Sequence, residues 1–151
     1  MLACHPTTEE EKILITEWKY EGEYSVYNAE PYEEQKKKGF GFANPQNHFY
    51  SFYDEKKLIG FINPYEEKTE VFFGIRVKPE ECGKGYGSQM TETACKISRE
   101  LFPGKPLYLE VRTWNQRAVR CYEKAGFHIV GEPIRQTTSA GEGVFYHMIR
   151  E

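Results

Sequence analysis

The sequence predicts a mixed α/β fold in which a mostly antiparallel sheet of six to seven strands is flanked by about four helices. Helix-start signals dominate the first 40 residues, three short stretches with a period of two follow them, and helical and strand patterns then alternate. A chain of 151 residues is long enough for one substantial core and too short for two. We therefore expect residues 1–151 to form a single domain.

Two helices are predicted before residue 40. The segment Thr7–Glu11 contains two overlapping capping-box pairs, which favour a helix that runs to about Lys19. The tyrosine-rich stretch Glu21–Asn28 has no regular period and is expected to be irregular. Pro31 then marks a second helix start, and Gly39, which follows three lysines, marks its end.

The middle of the chain predicts a meander of three antiparallel strands. His48–Tyr53, Lys57–Asn63 and Glu70–Val77 are each rich in aromatic and β-branched residues and are separated by turn residues. A glycine-rich turn, Gly83–Gly87, leads from the third strand into a helix. The apolar residues of that helix recur at helical spacing, at Met90, Ala94, Ile97 and Leu101. Leu107–Arg112 then alternates apolar and polar residues as a strand does.

The last 40 residues predict a helix and two strands. Asn115 is a good N-cap and Gly126 a typical terminating residue, so the helix lies between them. Phe127–Val130 and Val144–Ile149 are the predicted strands, and the polar stretch Thr137–Gly143 is predicted as a loop between them. The helix that follows the meander acts as a crossover, so the sheet is mixed.

Charge and hydropathy argue against several functional classes. The net charge is −3 and the isoelectric point is about 5.9, whereas that of a nucleic-acid-binding domain usually exceeds about 9. The mean hydropathy is −0.70, and no apolar run approaches the roughly 20 residues of a membrane span. Met1 is not followed by the basic segment and apolar run of a secretory signal. We therefore expect a cytoplasmic protein that binds neither nucleic acid nor membrane.

The cysteines and histidines indicate neither disulfides nor a metal site. The four cysteines form no CxxC pair and, without a secretory signal, are expected to be free thiols. The four histidines are scattered, with no HExxH motif and no paired spacing with cysteine. We expect no metal cofactor.

The glycine-rich turn has the properties of a phosphate cradle. Glycines let the backbone approach a ligand closely, and the first N–H groups of the following helix point outward at the positive end of its dipole. Two common phosphate motifs do not fit. Lys84 is followed by Gly85 and not by the Ser or Thr of a P-loop, and the glycine spacing is GxGxG and not GxGxxG. A purely structural turn is the alternative interpretation.

Two motifs occur in order around this turn. The first is Ile75–Ser88, in which Cys82–Gly87 is similar to the pattern Gln/Arg-x-x-Gly-x-Gly/Ala except that Cys82 stands where Gln or Arg is usual. The second consists of Leu109-Glu110-Val111-Arg112 with Asn115, Ala118, Tyr122 and Gly126-Phe127. Together they resemble the motifs of the GNAT superfamily of acetyl-CoA-dependent N-acetyltransferases over roughly residues 70–131. The second motif looks most like the branch that acetylates protein N-termini, and the predicted element order is that of the GNAT fold.

The resemblance implies acetyl-CoA as the acyl donor. The backbone of Ile75 and Val77 would pair with the pantetheine arm as an added strand, with the Ile75 N–H near the thioester oxygen. Asn115 would contact the pantetheine, in addition to its role as an N-cap or in place of it. The backbone amides of the turn would receive the pyrophosphate, and the Lys84 side chain would add charge. The residues expected there are Cys82, Gly83, Lys84, Gly85, Tyr86, Gly87 and Ser88.

Acyl transfer from a thioester to an amine needs one group that takes the amine proton and one that gives a proton to the departing thiolate. By the same resemblance, Tyr122 is the candidate general acid, since a phenol is protonated at pH 7. Glu110 is the candidate general base and would act through water. The alternatives are a core tyrosine at helical spacing and, for Glu110, a solvated strand charge or a partner of Arg112. The amine attacks directly, so Cys121 is expected to be a packing residue and not a nucleophile.

The resemblance assigns the acceptor to the N-terminal helices and to the last loop, Thr137–Gly143. Residues 1–35 carry a net charge of −7 against +4 for the rest, and residues 17–34 are acidic and aromatic. The acidic groups would attract a cationic amine and the rings would add cation–π contacts, while a solvated acidic helix face is the alternative. The rings concerned are Trp18, Tyr20, Tyr24, Tyr27 and Tyr32.

Two functions are open from the sequence. The first is an N-acetyltransferase whose partner is a small-molecule amine or a peptide N-terminus, with a homodimer also allowed. The second is a non-catalytic acyl-CoA-binding module that acts as a sensor or partner protein. Both predict CoA binding, whereas release of free thiol in the presence of an amine separates them.

Overall fold

The centre of the protein is an eight-stranded sheet, seen in a computed structural model that describes residues 2–138 and 141–151. The strands are β1 Ala3–Pro6, β2 Tyr50–Asp54, β3 Lys57–Glu66, β4 Val71–Val77, β5 Leu107–Arg112, β6 His128–Ile129, β7 Ile134–Thr138 and β8 Gly141–Arg150. The α-helices are α1 Glu9–Thr16, α2 Tyr32–Lys38, α3 Tyr86–Leu101 and α4 Gln116–Lys124. Short 3₁₀ helices lie at Gly22–Tyr27, Gly41–Ala43 and Pro79–Glu81.

The strand order is β1-β2-β3-β4-β5-β8-β6, and β7 pairs with β8 outside this path. The described strands pair antiparallel except β4 and β5, which are parallel. Parallel neighbours need a long crossover connection, and here it contains α3. The predicted mixed, mostly antiparallel sheet with four flanking helices is thereby confirmed.

The two central strands, β4 and β5, are joined only near their beginnings. Val71 pairs with Leu107 and Phe72 pairs with Tyr108, and the ladder ends there although β4 continues to Val77. No ladder joins the rest of these two fully described strands. The sheet therefore has an open cleft between the second half of β4 and the second half of β5.

Apolar residues pack on both faces of the sheet. The larger core joins the sheet to α3 and α4, and its buried residues include Phe52, Ile62, Val71, Phe73, Met90, Ala94, Leu109, Val119 and Met148. The smaller core, on α1 and α2, contains Ile15, Tyr32 and Phe42, with Trp18 and Phe61 packed against it. Gly60 lets α3 approach β3, because a Cβ there would lie 2.7 Å from Met90 Cε and 2.5 Å from the Arg76 carbonyl oxygen. None of the helices in the described residues is long and apolar enough to cross a membrane.

A buried carboxylate ties the first helix to the sheet. Glu11 completes the predicted capping box with Thr8, and its Oε2 atom lies 2.6 Å from the Tyr53 hydroxyl and 2.8 Å from His5 Nε2. Burial by itself would raise the pKa of Glu11, but the hydrogen bonds from Tyr53, the Thr8 N–H and His5 outweigh it and lower the pKa to about 2. The carboxylate is therefore stabilised in its charged form by folding.

Glu11→Gln is expected to lower the free energy of unfolding at pH 7 by about 2–3 kcal/mol. Because the folded pKa of Glu11 lies below the ordinary value of 4.5, its contribution is complete above pH 4.5 and is lost as the pH falls toward 2. Urea unfolding from pH 7 to pH 2.5 should thus show a flatter acid dependence for the variant. Glu10→Gln, an exposed neighbour, is the control; equal acid dependence in both variants would contradict the assignment.

The structure corrects three details of the predicted fold. The sheet has eight described strands and not six to seven, because β1 and β7 were not predicted. The first helix ends at Thr16 and not near Lys19. The stretch Thr137–Gly143 was predicted as a loop, but β7 and β8 run into it as antiparallel strands that pair up to Thr138 and Gly141. Residues 139 and 140 of that predicted loop lie outside the described residues.

Candidate active site

The cleft between β4 and β5 exposes backbone groups of β4. The Lys78 N–H donates to Ile59 on β3, and the pairing of β3 with β4 is regular from Gly60 to Glu66. Within an antiparallel ladder a residue directs its N–H and C=O to the same side. The carbonyls of Ile75 and Val77 are both contacted by side chains from the cleft, so these two residues direct their backbone groups into it. Their pairing with the pantetheine arm stays a prediction.

A tyrosine-rich segment, the tyrosine strap (residues 20–28), bridges the cleft. At one end, the Tyr20 hydroxyl donates a 2.6 Å hydrogen bond to the Val77 carbonyl, and burial raises the pKa of Tyr20. At the other end, the Tyr27 hydroxyl accepts a 2.9 Å hydrogen bond from Asn115 Nδ2. The stretch predicted to be irregular thus contains a 3₁₀ helix fastened to both sides of the cleft.

The glycine-rich turn follows β4 and leads into the first turn of α3. Gly83 and Gly85 have φ angles of 81° and 86°, a left-handed conformation that favours glycine. Gly85 is the N-cap of α3 and supplies no side-chain hydrogen bond to the helix. The N–H groups at the helix start, including that of Ser88, are therefore available to an anion at the positive end of the helix dipole.

The turn is held against the β2–β3 hairpin. The Tyr86 hydroxyl donates to Asp54 Oδ2 at 2.5 Å, a bond that raises the pKa of Tyr86 to about 12. The Glu81 carboxylate lies 3.0 Å from Lys84 Nζ and 3.2 Å from Lys57 Nζ, and both cations lower the pKa of Glu81, Lys84 more strongly. The Lys84 charge predicted for the pyrophosphate is thus shared with Glu81.

Cys82 is directed back toward the end of β4. Its Sγ atom lies 3.7 Å from the Val77 carbonyl oxygen and 3.6 Å from that of Lys78, and burial raises the pKa of the thiol. Its N–H makes a long, 3.4 Å hydrogen bond to the Pro79 carbonyl. Cys82 therefore shapes the turn, and its backbone N–H is partly engaged within it.

Tyr122 lies on α4 beside the cleft. It packs against Phe127 and the larger core, and burial raises its pKa, while the charge of Arg76 acts in the opposite direction. Its hydroxyl makes no hydrogen bond to any residue in the described parts of the chain. Asn115, the predicted N-cap, accepts from the Ala118 N–H at 3.2 Å, which confirms that structural role. Tyr122 combines core packing with an unengaged proton donor.

Glu110 lies on the face of β5 that turns away from the larger core. Its Oε2 atom accepts a 2.7 Å hydrogen bond from Gln136 Nε2 on β7 and lies 3.8 Å from His147 Nδ1 on β8. The side chain is 26% exposed, so it is neither fully solvated nor buried. Arg112 instead stacks on Phe145 and donates to Thr138, and it forms no ion pair with Glu110. A carboxylate that is held in place and reached by water can act as a base.

The structure changes the interpretation of the acidic N-terminal segment. Five of its nine carboxylates lie within 4.0 Å of nearby lysines or a histidine, among them Glu30, Glu33 and Glu34 beside the three lysines that end α2. Two of the five predicted rings, Trp18 and Tyr32, pack with the smaller core. The part of this segment that lies at the cleft is the tyrosine strap, and the attraction of a cationic amine by the acidic residues stays a prediction.

Several cleft residues were not predicted from the sequence. Arg76, Arg117 and Trp114 contact the tyrosine strap, and Gln136 and His147 contact Glu110. The alternation of apolar and polar residues in β4 could have placed Arg76 on the face away from the larger core, because Ile75 and Val77 pack against that core. No local pattern in the sequence indicates Gln136 or His147, since only the strand order of the folded sheet brings β7 and β8 beside Glu110. Within the described residues, no group of three His, Cys, Asp or Glu side chains is arranged to hold a metal ion.

Comparison of the sequence with models of known protein families identifies the family to which this chain belongs. The model of the acetyltransferase (GNAT) family matches residues 12–127. The chain therefore belongs to that family. The match includes the tyrosine strap, the glycine-rich turn and α4.

Individual relatives agree with this assignment. The N-alpha-acetyltransferase RimI of Mycobacterium tuberculosis is 30% identical over 97 residues, which is 59% of this chain and 57% of that protein. The chain thus spans a little over half the length of that relative. Among solved structures, a chimera of the spermidine N-acetyltransferase SpeG from Vibrio cholerae and hSSAT has a TM-score of 0.76 at 22% identity, over 99% of this chain and 94% of that one. The Vibrio cholerae spermidine N-acetyltransferase in complex with CoA and spermine has a TM-score of 0.74 at 20% identity, over 98% and 94%. These structures share the fold.

Proposed function

We propose that this protein is an N-acetyltransferase that moves an acetyl group from acetyl-CoA to a primary amine by direct attack. The observation that carries the proposal is the open edge of β4 beside the uncapped start of α3. An extended acyl carrier can add to the strand edge while its pyrophosphate binds at the helix start. Membership of the acetyltransferase family supports this interpretation.

The residues present suit acetyl-CoA. Ile75 and Val77 would supply N–H and C=O groups to the pantetheine amides, and the N–H groups from Gly83 to Ser88 would bind the pyrophosphate. Asn115 would contact the pantetheine through the Nδ2 atom that now donates to Tyr27. When bound, acetyl-CoA supplies an activated acyl group as a thioester. The protein supplies the orientation of that group and the proton transfers around it.

Glu110 and Tyr122 have the chemistry for those proton transfers. Glu110 would accept the proton of the attacking amine through water, while Gln136 keeps its carboxylate oriented. The Ile75 N–H would stabilise the oxygen on which negative charge develops. Tyr122 would donate its phenolic proton to the departing thiolate, and its raised pKa keeps it protonated at neutral pH. No covalent enzyme intermediate is needed.

The relatives suggest two classes of acceptor. RimI is named for acetylation of α-amino groups, and the structural neighbour with CoA and spermine is named for spermidine. Both acceptors are primary amines, one on a peptide and one on a small molecule. The proposed function covers both classes.

Turnover on a panel of amines tests the proposal. The protein is incubated with acetyl-CoA and peptides, polyamines or amino acids, and the release of free CoA thiol is recorded. We expect thiol release that depends on an amine, together with thermal stabilisation by acetyl-CoA. Stabilisation without release for any amine would instead identify an acyl-CoA-binding module, and absence of both would reject the cofactor assignment.

A further inference from the structure

We propose that the acceptor amine carries a negatively charged group a few bonds away, which Arg76 and Arg117 bind above the tyrosine strap. The inference rests on the proposed acetyltransferase function and names the substrate class of the same site. The acceptor would be an acidic peptide N-terminus or a small amino acid, both of which place a carboxylate near a primary amine.

Each of the two arginines lies over an aromatic ring of the strap. Arg76 Cζ lies 4.7 Å from the centroid of the Tyr27 ring, and Arg117 Cζ lies 4.6 Å from the centroid of the Tyr24 ring. The two tyrosine rings are 6.4 Å apart, and Trp114 lies 5.4 Å from Tyr24 and 6.2 Å from Tyr27. A guanidinium group that lies over an aromatic ring can still donate hydrogen bonds from its N–H edges.

Neither guanidinium group forms an ion pair with the described residues. In the described ranges no carboxylate lies within 4.0 Å of Arg76 or Arg117, whereas the lysines of α2 and Lys84 all have such partners. Arg76 donates one hydrogen bond, to the carbonyl of the preceding residue. The carboxylates of the strap itself, Glu21 and Glu23, are exposed and form no ion pair with either arginine. Planar guanidinium groups with free edges suit a carboxylate or phosphate, which they bind with paired hydrogen bonds.

The arginine pair lies beside the reacting groups. The Tyr27 ring under Arg76 is hydrogen-bonded to Asn115, and the charge of Arg76 acts on Tyr122. Ile75 and Val77 pack toward the core that includes α3, so Arg76 between them faces away from the pyrophosphate cradle. This is the face on which Glu110 lies. An anion held by Arg76 would therefore belong to the acceptor. Arg117 also acts on the Cys82 thiol at the start of the glycine-rich turn, so its share in acceptor binding is separated from cofactor binding by the acetyl-CoA affinity of Arg117→Gln.

This arrangement disfavours a polyamine as the acceptor. A polyamine has several positive charges and no negative one, so it would meet two like charges at the cleft, neither of them in an ion pair with the described residues. An acidic peptide would place its α-amino group toward Glu110 and its carboxylate toward Arg76 and Arg117. The chain would then differ in acceptor from the spermidine enzymes whose fold it shares.

Matched acceptors test the inference. Initial rates are measured with two tetrapeptides that differ only in Asp or Lys at the second position, with glutamate as a small amino acid, and with spermidine. We expect kcat/KM for the Asp peptide to exceed that for the Lys peptide by about tenfold or more, the usual worth of a hydrogen-bonded charge. Arg76→Gln and Arg117→Gln should each remove most of that ratio, and Arg76→Lys should retain part of it. Arg120→Gln, an exposed position on α4, is the control.

A binding measurement keeps the inference testable apart from turnover. Trp114 contacts both tyrosines, so its fluorescence should report binding of the Asp peptide in the absence of acetyl-CoA, with Trp114→Phe as the blank. A weaker Kd in both glutamine variants, whose folding is checked by thermal unfolding, supports the arginine site even if no amine is acetylated. Preference of the wild type for spermidine or the Lys peptide overturns it. Reduced affinity for acetyl-CoA with an unchanged peptide ratio also overturns it, because the arginines would then serve the cofactor.

Discussion

Tyr122→Phe is expected to reduce kcat by about a hundredfold while the KM for acetyl-CoA changes little. The phenylalanine ring keeps the packing against Phe127 and the core, so the substitution removes only the proton donor. General acid catalysis commonly contributes 10²–10⁴-fold, and the departing thiolate would have to take its proton from water. Steady-state rates with a fixed amine and varied acetyl-CoA measure both constants.

A second tyrosine provides the matched control for this experiment. Tyr50 also packs partly buried against the larger core, but it lies on β2, which β3 separates from the cleft strand β4. Tyr50→Phe should therefore leave kcat unchanged. Equal rates for wild type and Tyr122→Phe would show that Tyr122 is a core residue and that the leaving thiolate is protonated in another way.

Glu110→Gln is expected to lower kcat/KM at pH 7 by tenfold to a hundredfold and to make the rate rise with pH. Without a base, the reaction depends on amine that is already deprotonated in solution, and an α-amino group has a pKa of about 8. The rate of the variant should thus recover from pH 7 to pH 9, while that of the wild type changes less. The Kd for acetyl-CoA, measured by titration, should not change.

The control for Glu110 is a carboxylate on the neighbouring β3–β4 turn. Glu67 accepts a 2.7 Å hydrogen bond from Tyr108 and is not among the groups that contact Glu110. Glu67→Gln should keep the wild-type pH profile. If Glu110→Gln also keeps it, the base lies elsewhere and Glu110 is a structural partner of Gln136.

The order of the main elements could be predicted because local signals in the sequence agree with the final packing. The capping box at Thr8, the N-cap at Asn115 and the left-handed glycines of the turn each form a recognisable local structure that the fold keeps. The period of two in β3 to β5 arises because one face of each strand lies in the larger core. These features depend on neighbours within a few residues.

The missed strands depend on distant partners. Residues of β1 are all exposed, and its four residues pair with β2 some 45 positions later, so they carry no alternating pattern. Most of β7 is also polar and exposed, and among the described strands it pairs only with β8. Edge strands gain their structure from backbone hydrogen bonds, which the side-chain pattern does not encode.

The candidate site divides in the same way. The glycine-rich turn and Tyr122 could be located from short motifs in the sequence, and their chemical roles stay predictions. The surroundings of Glu110 and the arginine pair are assembled from four or more separate segments. Gln136 reaches Glu110 only because β7 joins the sheet, and Arg117 reaches the strap only because residues 20–28 bridge the cleft. No local pattern in the sequence contains that information.

The short junction between β4 and β5 also has a mechanical consequence. Only two residue pairs form the ladder between the fully described strands β4 and β5, so the backbone of the sheet offers little resistance to opening of the cleft. α3 packs on β3 and β4 in one half of the sheet and on α4, which follows β5 in the other half. Its residues Met90 and Ala94 are fully buried in this packing. The packing of α3 therefore helps to hold the two halves of the sheet at their spacing. Substitutions of the buried residues of α3 would therefore alter the distance between Glu110 and the glycine-rich turn.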